Sequence, residues 1–263
     1  MEIEIDLRKT AQDNANEYYE KSKKAKKKLQ GVITAIEETK KELRKQEEKE
    51  IIVEEITKKR KLKWFEKFHW MHSSDSMLVL GGRDAQSNEQ LIKKYMEKTD
   101  LYFHAEIFGA PHCIVKSNDN SAPKKTLEEA AVFAAVFSKA WEQKLAGADV
   151  YSVNPEQVSK TAPSGESMAT GAFMIYGERK WFKNAKLSFG IGVKKEKNES
   201  IIVSGALTAV KSQANNFIEL IQGQLNKSET AKKIKKVLEE KSKEKLDLDE
   251  IMKMIPNGES DIK

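Results

Sequence analysis

The sequence has 263 residues, a formal net charge of +6 and a single cysteine, with 33% charged and 39% hydrophobic residues. This composition favours charged helical segments beside a modest globular core, and the positive charge is compatible with a polyanionic partner. One cysteine excludes a disulfide framework and a cysteine-rich zinc site, and no apolar run reaches membrane-spanning length, so we expect a cytoplasmic protein without membrane contact.

The first predicted element is a long charged helix. Residues 13–63 lack proline, contain one glycine and are rich in strong helix formers. Apolar residues recur every seven positions, as in the seam of a coiled coil, at Leu29, Ile36 and Leu43. Because no apolar residue occurs in residues 44–50, we expect the helix to break or bend there. We assign residues 1–63 to a helical coiled-coil arm that self-associates or binds a protein partner.

Aromatic residues then mark the start of a globular domain over residues 64–225. Short β-prone runs predict strands at 77–80, 101–107, 113–116, 173–176, 189–193, 201–203 and 217–221. Helical patterns occur at 88–98, 126–145 and 206–215, and Thr126 with Glu129 has the spacing of a capping box. Residues 226–263 are predicted to be a basic helical extension, with a helix at 229–245. The fold class is therefore α+β, with a mixed or antiparallel sheet and packed helices.

The motifs of common catalytic centres are missing from the sequence. The four histidines have no H-E-x-x-H spacing, and Lys160-Thr161 lacks the glycine pattern of a phosphate-binding NTPase loop. Ser121 and Lys124 have the S-x-x-K spacing, but neither S-D-N nor K-T-G accompanies them. We therefore expect no metal, no cofactor, no catalytic residue and no enzymatic activity.

Two loops have residues suited to binding an anion. Residues 157–166 place Lys160 among hydroxyl groups, with Gly165 offering close backbone approach. Residues 81–89 place Arg83 after two glycines, where a helix begins, so its planar fork is suited to a phosphate. We call residues 81–89 the first loop and residues 157–166 the second loop. The alternatives remain, for the first loop, a helix cap at Asp84 or Ser87 with Arg83 paired to a local carboxylate and, for the second loop, an ordinary surface turn.

Several motifs occur together in the order found in the NFACT protein family. They are Trp64–Phe68, Ser73–Asp75, Gly81–Gln86 with Asn88-Glu89, Asp100–Tyr102 with His104-Ala105, and Gln157–Glu166 with Thr170-Gly171 and Phe173–Ile175. The chain resembles the RNA-binding domain of that family most densely over residues 64–180, and the preceding lysine-rich helix resembles the family's coiled-coil region. Ile255–Ser260 resembles archaeal members.

The resemblance implies a factor of ribosome-associated quality control. Such a factor binds the large ribosomal subunit that still carries peptidyl-tRNA and promotes untemplated addition of residues to the stalled chain. We expect tRNA and rRNA as partners and no tail synthesis by this chain alone, since the resemblance makes it the second part of a longer protein.

Basic residues interleaved with aromatic residues around these loops suit RNA, where cations contact phosphates and rings stack on bases. The candidate RNA-binding residues are Gly82, Arg83, Asp84, Asn88, Lys93, His104, Ser159, Lys160, Thr161, Gly165, Arg179 and Lys180. The alternative function is a protein-interaction scaffold that uses the charged arm.

Overall fold

The computed structural model of the chain describes residues 4–57, 62–161, 168–196 and 199–263. The chain divides into two compact units, residues 1–62 and residues 63–263. Helices and antiparallel sheets make up the structure, so the α+β prediction is confirmed.

The first unit is dominated by one uninterrupted helix, α1, at Ala11–Thr57. The expected break near residues 44–50 is therefore wrong, because strong helix formers continue through that stretch and maintain the backbone ladder without apolar residues. Asn14 lies in the first turn, where its side chain accepts a hydrogen bond from the Asp6 N–H (2.9 Å) and donates one to the Asp6 carbonyl group (3.1 Å). The predicted seam is solvent-exposed, with Leu29 61%, Ile36 49% and Leu43 51% exposed.

The second unit contains six short helices and twelve strands among its described residues. The helices are α2 (Ala85–Gln90), which continues as a π-helical turn, α3 (Lys124–Val136), α4 (Lys139–Glu142), α5 (Leu207–Gln213), α6 (Lys227–Ser242) and α7 (Leu248–Met254). The strands are β1 (His69–His72), β2 (Leu78–Gly81), β3 (Leu101–Ala105), β4 (Cys113–Val115), β5 (Gly147–Val153), β6 (Val158–Ser159), β7 (Met174–Ile175), β8 (Lys180–Lys186), β9 (Phe189–Glu196), β10 (Glu199–Ala206), β11 (Asn216–Leu225) and β12 (Ser260–Ile262).

The strands form two main antiparallel sheets and one small pair. The first sheet has the order β1-β2-β4-β3-β5-β8, and the second has the order β10-β9-β11-β12. Strand β6, which lies within the predicted loop at 157–166, pairs with β7. Strand β8, which the sequence analysis did not predict, lies at an edge of the first sheet.

Helix α3 packs against strands of both sheets and completes a shared core. Phe133, Trp141 and Phe189 are fully buried there. The expected helix over 126–145 is divided in two, because the Ser138 hydroxyl donates to the Ala135 carbonyl (2.6 Å) and accepts from the Ala140 N–H (3.1 Å). Ser138 thus ends α3 and caps α4.

Glu129 is not part of the expected capping box. Helix α3 has no side-chain cap; the Thr126 hydroxyl instead donates to the Asp75 carboxylate (2.7 Å) and lies 2.8 Å from the Ser73 hydroxyl, from which it accepts. The buried Glu129 carboxylate accepts hydrogen bonds from the Ser74 N–H (2.7 Å) and the Thr208 hydroxyl (2.7 Å). Ser74 lies in the β1–β2 turn and Thr208 lies in α5. Glu129 therefore connects α3 to two segments that are distant in the sequence, instead of capping its own helix.

The last residues do not form a separate basic extension. Strand β12 pairs with β11, and the buried Ile234, Leu238 and Ile251 belong to the main core. The Trp141 indole N–H also donates to the Ser260 hydroxyl at 2.9 Å. Residues 226–263 are therefore built into the second unit, because α6 has an apolar stripe that must be buried.

Candidate nucleic-acid interface

The two loops singled out in the sequence meet at Glu89. One Glu89 carboxylate oxygen accepts hydrogen bonds from Lys160 Nζ (2.9 Å) and the Gly171 N–H (2.7 Å), and the other accepts from Lys93 Nζ (2.6 Å). The Lys93 hydrogen bond, followed by the Gly171 and Lys160 contacts, lowers the pKa of Glu89 to about 2. An ionised carboxylate therefore holds the two loops together at neutral pH.

Arg83 is committed to protein carbonyl groups. Its guanidinium donates from Nε to Lys67 O (3.0 Å), from Nη1 to Lys253 O (2.9 Å) and from Nη2 to Phe68 O (2.8 Å). Desolvation lowers its pKa from the usual value. Arg83 thus joins the segment before β1 to the C-terminal end of α7, and each of its three nitrogens already has an acceptor.

Lys160 is similarly committed. An ammonium group has three N–H donors, and Lys160 Nζ has three acceptors: Glu89, the Ala169 carbonyl (2.8 Å) and the Ala172 carbonyl (3.1 Å). The same nitrogen lies 4.9 Å from the centre of the Phe173 ring. Its geometry makes Lys160 a positioning residue that holds the second loop to Glu89 and to the segment before β7.

Asp84 and Ser87 cap the start of α2, which is one of the alternatives for the first loop. Asp84 accepts from the Ser87 N–H (2.7 Å), and the Ser87 hydroxyl accepts from the Arg83 N–H (2.7 Å) and the Asp84 N–H (2.9 Å). The Gly82 N–H donates to the His112 carbonyl at 3.1 Å. A Cβ atom on Gly82 would lie 2.0 Å from Asn88 Oδ1, so the glycine is needed to make room for Asn88.

A buried polar cluster that sequence reasoning missed lies behind the loops. His112 Nε2 is 2.8 Å from the Gly171 carbonyl and must donate to it, so Nδ1 is the acceptor for the Tyr102 hydroxyl at 2.6 Å. The Asn88 side chain accepts from the His112 N–H at 3.0 Å. Burial, with a smaller effect from His104, lowers the pKa of His112 to about 3. No sequence pattern predicts this cluster, since its members are far apart along the chain.

The remaining residues of the second loop are only partly described. Ser159 lies in β6, and its hydroxyl accepts a hydrogen bond from the Thr161 N–H at 3.0 Å. Gly165 lies outside the described residues. The Ser159 and Thr161 positions are half-buried and exposed, respectively. Among the residues that the structure describes, no group of three His, Cys, Asp or Glu side chains is placed to hold a metal ion.

One exposed ring with cations around it lies at the edge of the first sheet. Three residues are paired across neighbouring strands, with His104 opposite Tyr151 and Tyr151 opposite Trp181. Burial lowers the pKa of His104 to about 4, so this imidazole is neutral at pH 7. Arg179 and Lys183 lie over the Tyr151 and Trp181 rings. We call Tyr151, Arg179, Trp181 and Lys183 the β8 face.

The other candidate cations are exposed to different extents. Lys93 and Lys180 are exposed, whereas Arg179 is one-third exposed. Lys93 forms an ion pair with Glu89 at the junction of the loops. Lys180 Nζ lies 5.9 Å from the Phe182 ring centre, across the strand from Trp181. The structure thus brings the two loops together, while the accessible cations lie beside them and along β8.

Comparison with known proteins gives a family and several relatives. Residues 67–177 match the family model described as the NFACT protein RNA-binding domain. The chain is 39% identical over 205 residues to the ribosome quality control complex subunit NEMF homolog of Drosophila melanogaster, covering 76% of this chain and 21% of that protein. It is 37% identical over 200 residues to the archaeal Rqc2 homolog aRqcH of Methanocaldococcus jannaschii, covering 76% of this chain and 29% of that protein.

A human protein is similar to this chain to the same degree. Ribosome quality control complex subunit NEMF of Homo sapiens is 38% identical over 194 residues, which cover 72% of this chain and 18% of that protein. The matched segment is therefore less than a third of the length of these relatives. Within the described ranges, every helix is too short or too polar to cross a bilayer.

Proposed function

Because this chain belongs to the NFACT family, with residues 67–177 matching its RNA-binding domain, we propose that it is the RNA-binding part of a ribosome quality-control factor. The observation that carries the proposal is the 37–39% identity to ribosome quality-control relatives over about 200 residues. The net charge of +6 supports a polyanionic partner. We place the protein in the cytoplasm, where ribosomes translate.

The RNA partners in this proposal are tRNA and rRNA on the large ribosomal subunit that carries a stalled peptidyl-tRNA. Exposed cations supply the phosphate contacts, and Lys93, Arg179 and Lys180 are the candidates whose side chains reach solvent. Arg83 and Lys160 act indirectly, because their donors hold the two loops in place. The protein acts by binding, and this segment alone does not support the addition of residues to a stalled chain.

The test measures binding to RNA and to large subunits as a function of salt. The full chain should bind tRNA and rRNA fragments at low salt and sediment with large subunits, more strongly when these carry peptidyl-tRNA. Replacing Lys93, Arg179 and Lys180 by alanine should lower the salt slope by about 1 for each lost phosphate contact. Absence of RNA binding at low salt, together with absence of co-sedimentation, would refute the proposal.

A matched control removes the same charge from other elements. Lys211, Lys232 and Lys236 are exposed on α5 and α6, and their triple alanine variant should retain the wild-type salt slope. If both triple variants lose binding equally, net charge rather than the proposed cations determines affinity.

The exposed seam of α1 favours a second function, protein–protein interaction. Leu29, Ile36 and Leu43 are each about half exposed or more, as expected for a coiled-coil surface awaiting a partner helix. Light scattering on the full chain and on a variant lacking residues 1–62 tests self-association. An unchanged oligomeric state would show that the seam does not drive it.

A further inference from the structure

We propose that the β8 face is a stacking site for an unpaired base of single-stranded RNA. The inference rests on the proposed RNA-binding function and adds the place and the conformational state of the RNA. It is carried by one exposed aromatic ring with two cations in contact with the rings, on an edge strand whose lysine side chains disfavour pairing with another protein strand.

Trp181 provides the ring. Its side chain is 39% exposed although Tyr151, beneath the same face, is 5% exposed. The two rings meet edge to face, with centres 5.4 Å apart and planes at 66°. Tyr151 therefore supports the indole without covering it in a parallel stack, and a large apolar surface remains in contact with water. A single exposed ring is common on protein surfaces, so the argument depends on the cations around this one.

Two cations adjoin the indole. Lys183 Nζ is 4.2 Å from the Trp181 ring centre, and Arg179 Cζ is 4.5 Å from the Tyr151 centre and 5.9 Å from the Trp181 centre. The rings thereby hold both charges at the aromatic surface. Because Lys183 lies over the indole, its long and 67% exposed side chain must swing aside when a base stacks there. Cations next to an aromatic platform match the alternation of phosphate and base in a nucleic-acid strand.

The acidic partners of these cations are exchangeable. Lys183 pairs with Asp149 at 2.8 Å, but the two side chains are 67% and 39% exposed. Arg179 meets Glu106 only at 3.5 Å, and the Glu106 side chain is 53% exposed. Exposed ion pairs contribute little free energy, so a phosphate can replace either carboxylate at low cost.

The residues of β8 favour RNA over an added protein strand. Edge strands that carry several lysines resist pairing with another chain, and β8 includes Lys180, Lys183 and Lys186. The same lysines attract phosphates. A base inside a duplex is already stacked on its neighbours, whereas an unpaired base can place its face on an exposed ring. Single-stranded RNA is therefore the partner that fits both the ring and the charges.

The test compares three labelled ligands by fluorescence anisotropy with the full chain. They are an eight-nucleotide single-stranded RNA, an abasic ribose-phosphate chain of equal length, and a duplex. Wild type should prefer the single strand to the abasic chain by about tenfold, the effect of stacking one base on an aromatic residue. The Trp181→Leu variant should bind the single-stranded RNA about tenfold more weakly than wild type does. It should bind the RNA and the abasic chain with equal affinity. Trp181→Phe should retain most of the preference.

Charge and fold are tested separately. Lys183→Ala should reduce the salt slope by about 1 while keeping the preference for bases. Trp64→Leu changes another exposed tryptophan, 50% exposed, and should leave the preference for bases unchanged. The variants' thermal unfolding is measured first, and only temperatures at which all are folded are compared.

The outcomes distinguish the two proposals. If wild type binds neither these ligands nor tRNA and rRNA fragments at low salt, and does not sediment with large subunits, the RNA-binding function itself is refuted. If wild type binds tRNA but not the eight-nucleotide strand, only the stacking site is refuted. If wild type binds RNA but Trp181→Leu has the same affinity and the same preference for bases, only the stacking site is refuted. Equal losses in Trp181→Leu and Trp64→Leu would also overturn it, because the effect would not belong to the β8 face.

Discussion

Replacement of Arg83 by alanine should destabilise the second unit while leaving direct RNA contacts in place. The substitution removes three hydrogen bonds from a charged group to the carbonyl groups of Lys67, Phe68 and Lys253. Such bonds contribute about 1.5–3 kcal/mol each when buried. Arg83 is only half-buried and water replaces part of each contact, so we take about 1 kcal/mol for each bond. The expected loss is about 3 kcal/mol, or a fall in Tm of roughly 6–12 °C.

The assay is urea unfolding of the full chain followed by tryptophan fluorescence. All four tryptophans lie after residue 63, so the signal reports the second unit without a contribution from α1. Arg83→Lys should recover only part of the loss, because one ammonium group cannot reproduce a planar fork that reaches three carbonyl groups. Lys124→Ala is the control; this exposed lysine should change stability by less than about 0.5 kcal/mol.

RNA binding by Arg83→Ala is then measured at a temperature where the variant is folded. We expect the salt slope of wild type, since no phosphate contact has been removed. An unchanged unfolding midpoint combined with a salt slope lower by about 1 would refute this reasoning. Arg83 would then bind a phosphate, and its three carbonyl contacts would contribute nothing measurable.

Three further predictions concern the loops and the buried histidines. Lys160→Met should loosen the second loop by releasing Glu89 and two carbonyl groups, seen as faster limited proteolysis near residue 170 with a loss of about 2 kcal/mol; unchanged cleavage would contradict it. Gly82→Ala should lower Tm by several degrees, because its Cβ would lie 2.0 Å from Asn88 Oδ1, and an equal Tm would show that Asn88 moves freely. His104 and His112 titrate near 6.5 when unfolded but have folded pKa values of about 4 and about 3, so below 6.5 the unfolded state binds more protons and stability falls with acid. Each histidine should lower the free energy of unfolding at pH 5 by about 2 kcal/mol relative to pH 7.5, as measured by urea unfolding. Equal stability at both pH values would contradict the burial of both side chains in the neutral form.

Local sequence predicted those elements that depend on local chemistry. Strong helix formers are sufficient for α1, and β-prone runs correctly indicated the central strands β9 and β11. Strand β8 was missed because its lysines and asparagine give little β signal. It becomes a strand through pairing with β5, which is a tertiary effect.

At the candidate site, too, local sequence predicted the loops but not the tertiary contacts of their residues. Sequence placed Arg83 and Lys160 in two polar loops near glycines, and the structure brings those loops together. The sequence could not show that Arg83 donates to a carbonyl group 170 positions later or that Lys160 donates to the carbonyl groups of Ala169 and Ala172. Whether a cation is free for a ligand depends on acceptors supplied by the fold, and these leave no pattern around the cation itself.

The contact between Arg83 and the Lys253 carbonyl also bears on when the second unit can form during its own synthesis. Strand β12 and the Trp141–Ser260 hydrogen bond add the same requirement for late residues. A nascent chain that has exposed only the first sheet lacks the acceptor for Arg83 and all four strands of the second sheet. Completion of the fold therefore waits until residues up to about 262 have emerged, and a chain arrested earlier would present a partly open core to chaperones and proteases.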